Sequence, residues 1–112
     1  KILGNTKDIN KYLSNSKSFI LSSRYEGYPN VLLDAAIAKL PIISTNCKFG
    51  PSEILEKGKY GKMFKVGDYL KLSKIMLLNT KKIKKITNTK LKKNELNLIT
   101  KEYYELFFKK NI

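Results

Sequence analysis

The sequence predicts an α/β fold, a parallel sheet covered by helices on both faces. Two short apolar runs, residues 18–21 (SFIL) and 42–44 (IIS), are too brief for helices and too continuous for strands with one wet face. Stretches rich in helix formers alternate with them, and strands separated by helices imply parallel crossovers. No repeat or flexible linker interrupts the 112 residues, a length that suits a single domain spanning 1–112.

The elements follow in order. Ile2-Leu3 reads as the end of a short strand. Asn5 or Thr6 is placed to cap a helix through about residue 14, with Ile9, Tyr12 and Leu13 on one face. After the first buried strand, SSRYEGYP is a loop whose Pro29 suits the first turn of a helix. That helix, NVLLDAAIAKL, is apolar on most faces and is stopped by Pro41. Lys39 falls in its last turn, where the helix dipole favours a cation. The second strand leads into the loop TNCKFGP, and Pro51-Ser52 open a short helix to about residue 57, with Glu53 in its favourable first turn. GKYG is a turn, and residues 62–66 form a short edge strand. Asp68 caps a helix with Leu70, Leu72, Ile75, Met76 and Leu78 mostly inward. Residues 81–93 are lysine-rich and weakly patterned. Leu96, Ile99, Tyr103, Leu106 and Phe107 recur near every 3.6 residues, so 94–109 is an amphipathic C-terminal helix.

Composition excludes several kinds of chemistry. Without histidine there is no Ser-His-Asp triad, Cys-His pair or HExxH helix. A lone cysteine, Cys47, allows no internal disulfide and argues against a four-ligand zinc site. No apolar run approaches the roughly 18 residues of a membrane span. The net charge of +14 invites an anionic partner, but its make-up does not favour specific nucleic acid. Of 23 basic residues only Arg24 is arginine, the side chain that reads bases and phosphates in bidentate fashion. Lys, Asn and Ile share A/T-rich codons, so a solvated lysine face explains the excess, most of which lies beyond residue 68.

In an open α/β sheet, ligands bind at the C-terminal ends of the strands. Here those positions are the loops 22–29 and 45–51, and both run into a helix N-terminus, a natural seat for phosphate. Two such loops side by side suit a diphosphate. Glu26 lies in the first loop, and Asp34 is the one charged residue between Pro29 and Ala38. An acid within VLLDAAIA is costly to bury unless it is paired or reaches a polar cavity. Carboxylates at a helix mouth suit sugar and ribose hydroxyls, from which they accept hydrogen bonds. In the alternative, Glu26 caps the helix and Asp34 pairs with a surface lysine.

The run RYEGYPNVLLDAAIAKLPIIST, followed by GPSEIL and GKYG, resembles the C-terminal nucleotide-sugar-binding domain of the retaining family 4 (group 1) glycosyltransferases, from about Gly4 to Asp68. Those enzymes have the GT-B architecture of two Rossmann-like domains. Their signature is two acids with seven residues between, normally both Glu; Glu26 and Asp34 have that spacing. The resemblance implies that Glu26, the catalytic candidate, lies near donor-sugar hydroxyls and that Asp34 accepts hydrogen bonds from the nucleotide ribose. It places backbone N–H groups of Gly27, Tyr28, Asn30 and Val31 toward the sugar and diphosphate. The Phe49-Gly50-Pro51 loop and Glu53 line the family's site less directly, and Arg24 and Tyr25 receive no chemistry. Asp34 is one methylene shorter than the usual Glu, and Lys39 stands where the family often has Gly.

The implied fold is a Rossmann-like partial C-terminal domain of a GT-B enzyme. The implied activity is transfer of a hexosyl unit from a nucleotide sugar to a glycan or lipid-linked acceptor, with retention and without a metal or other cofactor. The family's basic pair and its acceptor domain find no counterpart in this sequence, so we expect a truncated donor domain of a longer cytoplasmic protein, inactive alone. The rival expectation is a non-enzymatic basic module that binds an anionic membrane surface through residues 71–93, nucleic acid being the weaker partner.

Overall fold

The computed structural model describes residues 2–78 and 82–86, and the expected helix at 94–109 lies outside them. Three parallel strands, β1 (Phe19–Leu21), β2 (Ile42–Thr45) and β3 (Lys62–Phe64), form a sheet in the order β1-β2-β3. Phe19 is in register with Ile42, and Ile43 with Lys62. Parallel neighbours need crossovers. Helix α2 (Asn30–Ile37) connects β1 to β2, and α3 (Pro51–Ile54) connects β2 to β3. Helix α1 (Ile9–Ser14) precedes β1, and α4 (Tyr69–Leu77) follows β3.

Strand alternation divides the core into two. Leu21 and Ile42 face α2 and α3, where they pack with Leu32, Leu33, Ala35, Ala36, Ile54 and Leu55. Ile43 and Phe64 face the other way, toward Ile75 of α4 and Ile83. Burial of all four β2 residues marks the middle strand of a sheet covered on both sides. The predicted α/β architecture with helices on both faces is therefore the one observed.

Several local expectations change. Ile2 and Leu3 form no strand; nothing pairs with them among the described residues and Ile2 is 98% exposed. The α1 cap is Asp8, whose Oδ1 accepts from the Lys11 N–H at 3.2 Å, while Thr6 accepts from the Asp8 N–H. Helix α2 stops at Ile37, and Lys39 lies beyond it with φ +56°. Helix α3 ends at Ile54, before the expected 57. Asp68 does cap α4, accepting from the Lys71 N–H at 2.9 Å. Of the five residues expected inward on α4, however, Ile75 is buried and Leu72 half-buried, while Leu70, Met76 and Leu78 are exposed. A three-stranded sheet is only about 10 Å wide, so it covers one stripe of that helix. The lysine-rich segment hides a pattern: Ile83 joins the α4-side core and Ile86 the α2-side core, so residues 82–86 are anchored to both.

Candidate functional site

The loops after β1 and β2 meet at the C-terminal end of the sheet, as the strand–helix alternation requires. The β1 loop is tied to β2 by its backbone: the Thr45 hydroxyl donates to the Ser23 carbonyl oxygen at 2.7 Å. Ser23 in turn donates its hydroxyl to Glu26 Oε1 at 2.5 Å. The end of the middle strand thus positions the loop, and the loop positions the half-buried carboxylate. A hydrogen bond to a charged acceptor is worth about 1.5–3 kcal/mol, enough to select one orientation.

The second loop closes against the first through Gly50, which has φ +86°. A Cβ there would run into the Pro29 ring and come within 3.0 Å of the Gly27 carbonyl oxygen. The positive φ and the contact both demand glycine, and together they set the spacing between the loops. Gly50 also receives hydrogen bonds on its carbonyl from Glu53 and Ile54 N–H, which starts α3.

Helix α2 begins at this junction without a side-chain cap. Glu26 is engaged by Ser23, so the alternative in which it caps α2 does not hold. The Asn30 N–H donates to Tyr28 O and the Leu32 N–H to Pro29 O, both at 2.9 Å. Between them the Val31 N–H has no partner among the described residues. Of the two N–H groups expected at the Asn30-Val31 turn, Val31 is therefore the one free to meet an anion, aided by the positive end of the helix dipole.

Asp34 lies on α2 about 6 Å along the axis from Asn30. Its side chain is half-buried and has no ion pair or hydrogen bond among the described residues, so the pairing with a surface lysine is not formed. A half-buried carboxylate with open acceptor sites can receive hydroxyl donors. Gly27 and Tyr28 are exposed in the loop between the two acids. Glu53 is exposed in the first turn of α3 and takes the role of an ordinary first-turn acid.

Ser23 and Thr45 are the residues sequence reasoning missed. Their signal was present: Thr45 ends β2 and Ser23 lies two residues past the end of β1, both at the end of the sheet that faces the ligand side. A second missed feature is a cavity of about 300 Å³ on the α4 side of the same rim, lined by Ser22, Arg24, Thr45, Phe64, Tyr69 and Leu72 among others.

With this geometry in place, the similarity to known proteins has structural meaning. The family model of the glycosyl transferases group 1 matches residues 1–78, more than half of the chain. The chain belongs to this family.

Among its relatives, a glycosyltransferase of Methanocaldococcus jannaschii is 48% identical over 54 residues, which is 48% of this chain and 13% of the relative. The amylovoran biosynthesis glycosyltransferase AmsD of Erwinia amylovora is 40% identical over 60 residues, 54% of this chain and 17% of that protein. The crystal structure of TarM, a GT-B glycosyltransferase, superposes with a TM-score of 0.69 at 24% identity, over 92% of this chain and 22% of TarM. The chain thus spans a quarter or less of the length of the proteins it matches. Its fold is that of part of a GT-B enzyme.

Proposed function

We propose that this chain is the donor-binding part of a glycosyltransferase that moves a hexosyl unit from a nucleotide sugar to a glycan or lipid-linked acceptor, with retention at the anomeric carbon. The observation that carries this reading is the Thr45–Ser23–Glu26 chain of hydrogen bonds, which fixes a half-buried carboxylate in the loop that leads into an uncapped helix. Family membership and the amylovoran-biosynthesis role named for AmsD support it.

Each residue has a distinct task in this reading. Glu26 accepts hydrogen bonds from donor-sugar hydroxyls and orients the ring. Asp34 accepts from the ribose, its shorter reach offset by a bridging water. The Val31 N–H, with those of Gly27 and Tyr28, receives the diphosphate oxygens. The leaving nucleoside diphosphate gains negative charge as the glycosidic bond breaks, and fixed N–H dipoles stabilise it there without reorganising. No metal or other cofactor takes part. A separate domain holds most of the acceptor, in a cytoplasmic enzyme that works at the inner membrane face.

Glu26→Ala in the intact enzyme lowers kcat by about 100-fold or more while nucleotide binding persists; near-normal turnover ends the assignment. Retention is tested separately, by NMR of the anomeric configuration in the first product. An inverted product removes that part of the reading and leaves the donor site intact.

A second reading is favoured by one feature. Leu70, Met76, Leu77 and Leu78 are exposed beside Lys71 and Lys74 of α4, a pairing of apolar and cationic groups suited to an anionic membrane surface. No helix among the described residues is long and apolar enough to cross a membrane, so any contact of this surface is peripheral. Sedimentation with vesicles that do or do not contain anionic lipid tests this, and equal binding to both removes it.

A further inference from the structure

We propose that the cavity on the α4 side of the rim is a subsite for a sugar unit of the acceptor that carries a carboxylate or phosphate. The inference rests on the transferase reading above and adds a ligand class to it.

The cavity sits at the C-terminal end of the sheet, where Thr45 ends β2 and Phe64 ends β3. It lies on the α4 side, since Phe64 and Leu72 belong to the core that α4 covers. The donor residues of α2 stand over the opposite face, so an occupant here shares the rim with the donor but not its seat. A volume of about 300 Å³ is at the small end of the range for small-molecule sites, suited to one sugar ring.

The walls supply matching chemistry. Arg24 is the sole guanidinium in a chain with 22 lysines, and it lines this cavity. It has no ion pair or hydrogen bond among the described residues. A guanidinium grips a carboxylate or phosphate through two parallel N–H bonds, which an ammonium cannot do. No acid lines the cavity to neutralise it; Asp68, next in sequence to Tyr69, is turned to the Lys71 N–H. Tyr69 is 75% exposed at the start of α4, offering an aromatic face to the apolar side of a pyranose. The Thr45 hydroxyl is spent on the Ser23 carbonyl, which leaves Ser22 as the neutral donor for a sugar hydroxyl.

The test is a binding titration on the intact protein with methyl glucuronide, glucose 6-phosphate, methyl glucoside and inorganic phosphate, repeated in saturating uridine diphosphate. The two anionic sugars should bind at least about tenfold tighter than the neutral one. Arg24→Gln should erase that gap while leaving the neutral sugar unchanged, and Tyr69→Ala should weaken all three sugars. Both side chains are exposed, so neither variant threatens the fold. Charge-independent binding, indifference to Arg24→Gln, or phosphate binding as tightly as glucose 6-phosphate would each overturn the proposal. So would displacement by uridine diphosphate, which would assign the cavity to the donor. If the anionic sugars bind through Arg24 but none of uridine, guanosine, adenosine, cytidine and thymidine diphosphate binds anywhere, the donor reading falls and the anionic-sugar site stands.

Discussion

The two ends of the sheet make opposite use of similar raw material. The N-terminal end has the larger cavity, about 780 Å³, lined by Lys17, Lys39 and Lys85 with three serines. The C-terminal end has a cavity of about 300 Å³ and one cation, Arg24. Size and charge alone would choose the wrong end. At the N-terminal end, Lys39 follows the C-terminus of α2 and Lys17 follows that of α1, where cations offset exposed carbonyl groups. Two of its serines are spent locally, Ser14 donating to Lys11 O and Ser16 to Tyr12 O. At the C-terminal end, the Thr45 hydroxyl instead links β2 to the loop after β1, and the Ser23 hydroxyl of that loop holds a carboxylate. A site is marked by convergence of polar groups from different elements, not by volume or net charge.

The sharpest way to break this contrast is substitution at matched positions. Glu26→Ala at the C-terminal end costs about 100-fold or more in kcat. Lys17→Gln at the N-terminal end should leave kcat and KM within about twofold, since an exposed cation near a helix end contributes only a fraction of a kcal/mol. A comparable loss from both variants in a steady-state assay of the intact enzyme would erase the distinction.

Next in size is the hydrogen bond that aims Glu26. Ser23→Ala removes a donor to a charged acceptor and should lower kcat about tenfold with little change in nucleotide affinity. Ser23→Thr, which keeps the hydroxyl, should restore most of the rate. If the alanine variant is fully active, Glu26 does not depend on the loop for its orientation.

Much of this arrangement was legible in the sequence. The alternation of short apolar runs with helices gave the parallel sheet, because strands buried on both faces leave a continuous apolar signature. Glu26 and Asp34 stood out because acids beside an apolar helix are costly without a purpose. Three things escaped. The inward face of α4 was overestimated, since periodicity reports what could be buried and not how wide the covering sheet is. The Thr45 hydroxyl bonds the Ser23 carbonyl oxygen across 22 residues of sequence, a distance no local pattern encodes. Arg24 received no chemistry because its cavity partners Phe64 and Tyr69 come from elements forty residues downstream.

Backbone geometry sharpens the comparison further, because each end holds a residue in the left-handed region. Gly50→Ala should destabilise the protein by roughly 2–3 kcal/mol, combining a strained φ with overlap on the Pro29 ring. Turnover should fall along with stability, because the same glycine sets the spacing of the two loops. Thermal unfolding and steady-state rates measured on one preparation check both; a stable Gly50→Ala variant with normal turnover would mean the loops tolerate separation.

The smallest expected effect has the opposite sign. Lys39 has φ +56° just past α2, a conformation that costs a residue with a Cβ about 1–2 kcal/mol. Lys39→Gly relieves that strain, gives back part of the gain through the greater freedom of glycine in the unfolded chain, and loses a cation near the helix C-terminus. The net should be a stabilisation of roughly 0.5–1 kcal/mol with unchanged kcat, read as a rise of a few degrees in Tm. A loss of stability would show that the charge at the helix end outweighs the backbone strain. A loss of turnover would place function at the N-terminal end of the sheet, where the hydrogen-bond pattern argues there is none.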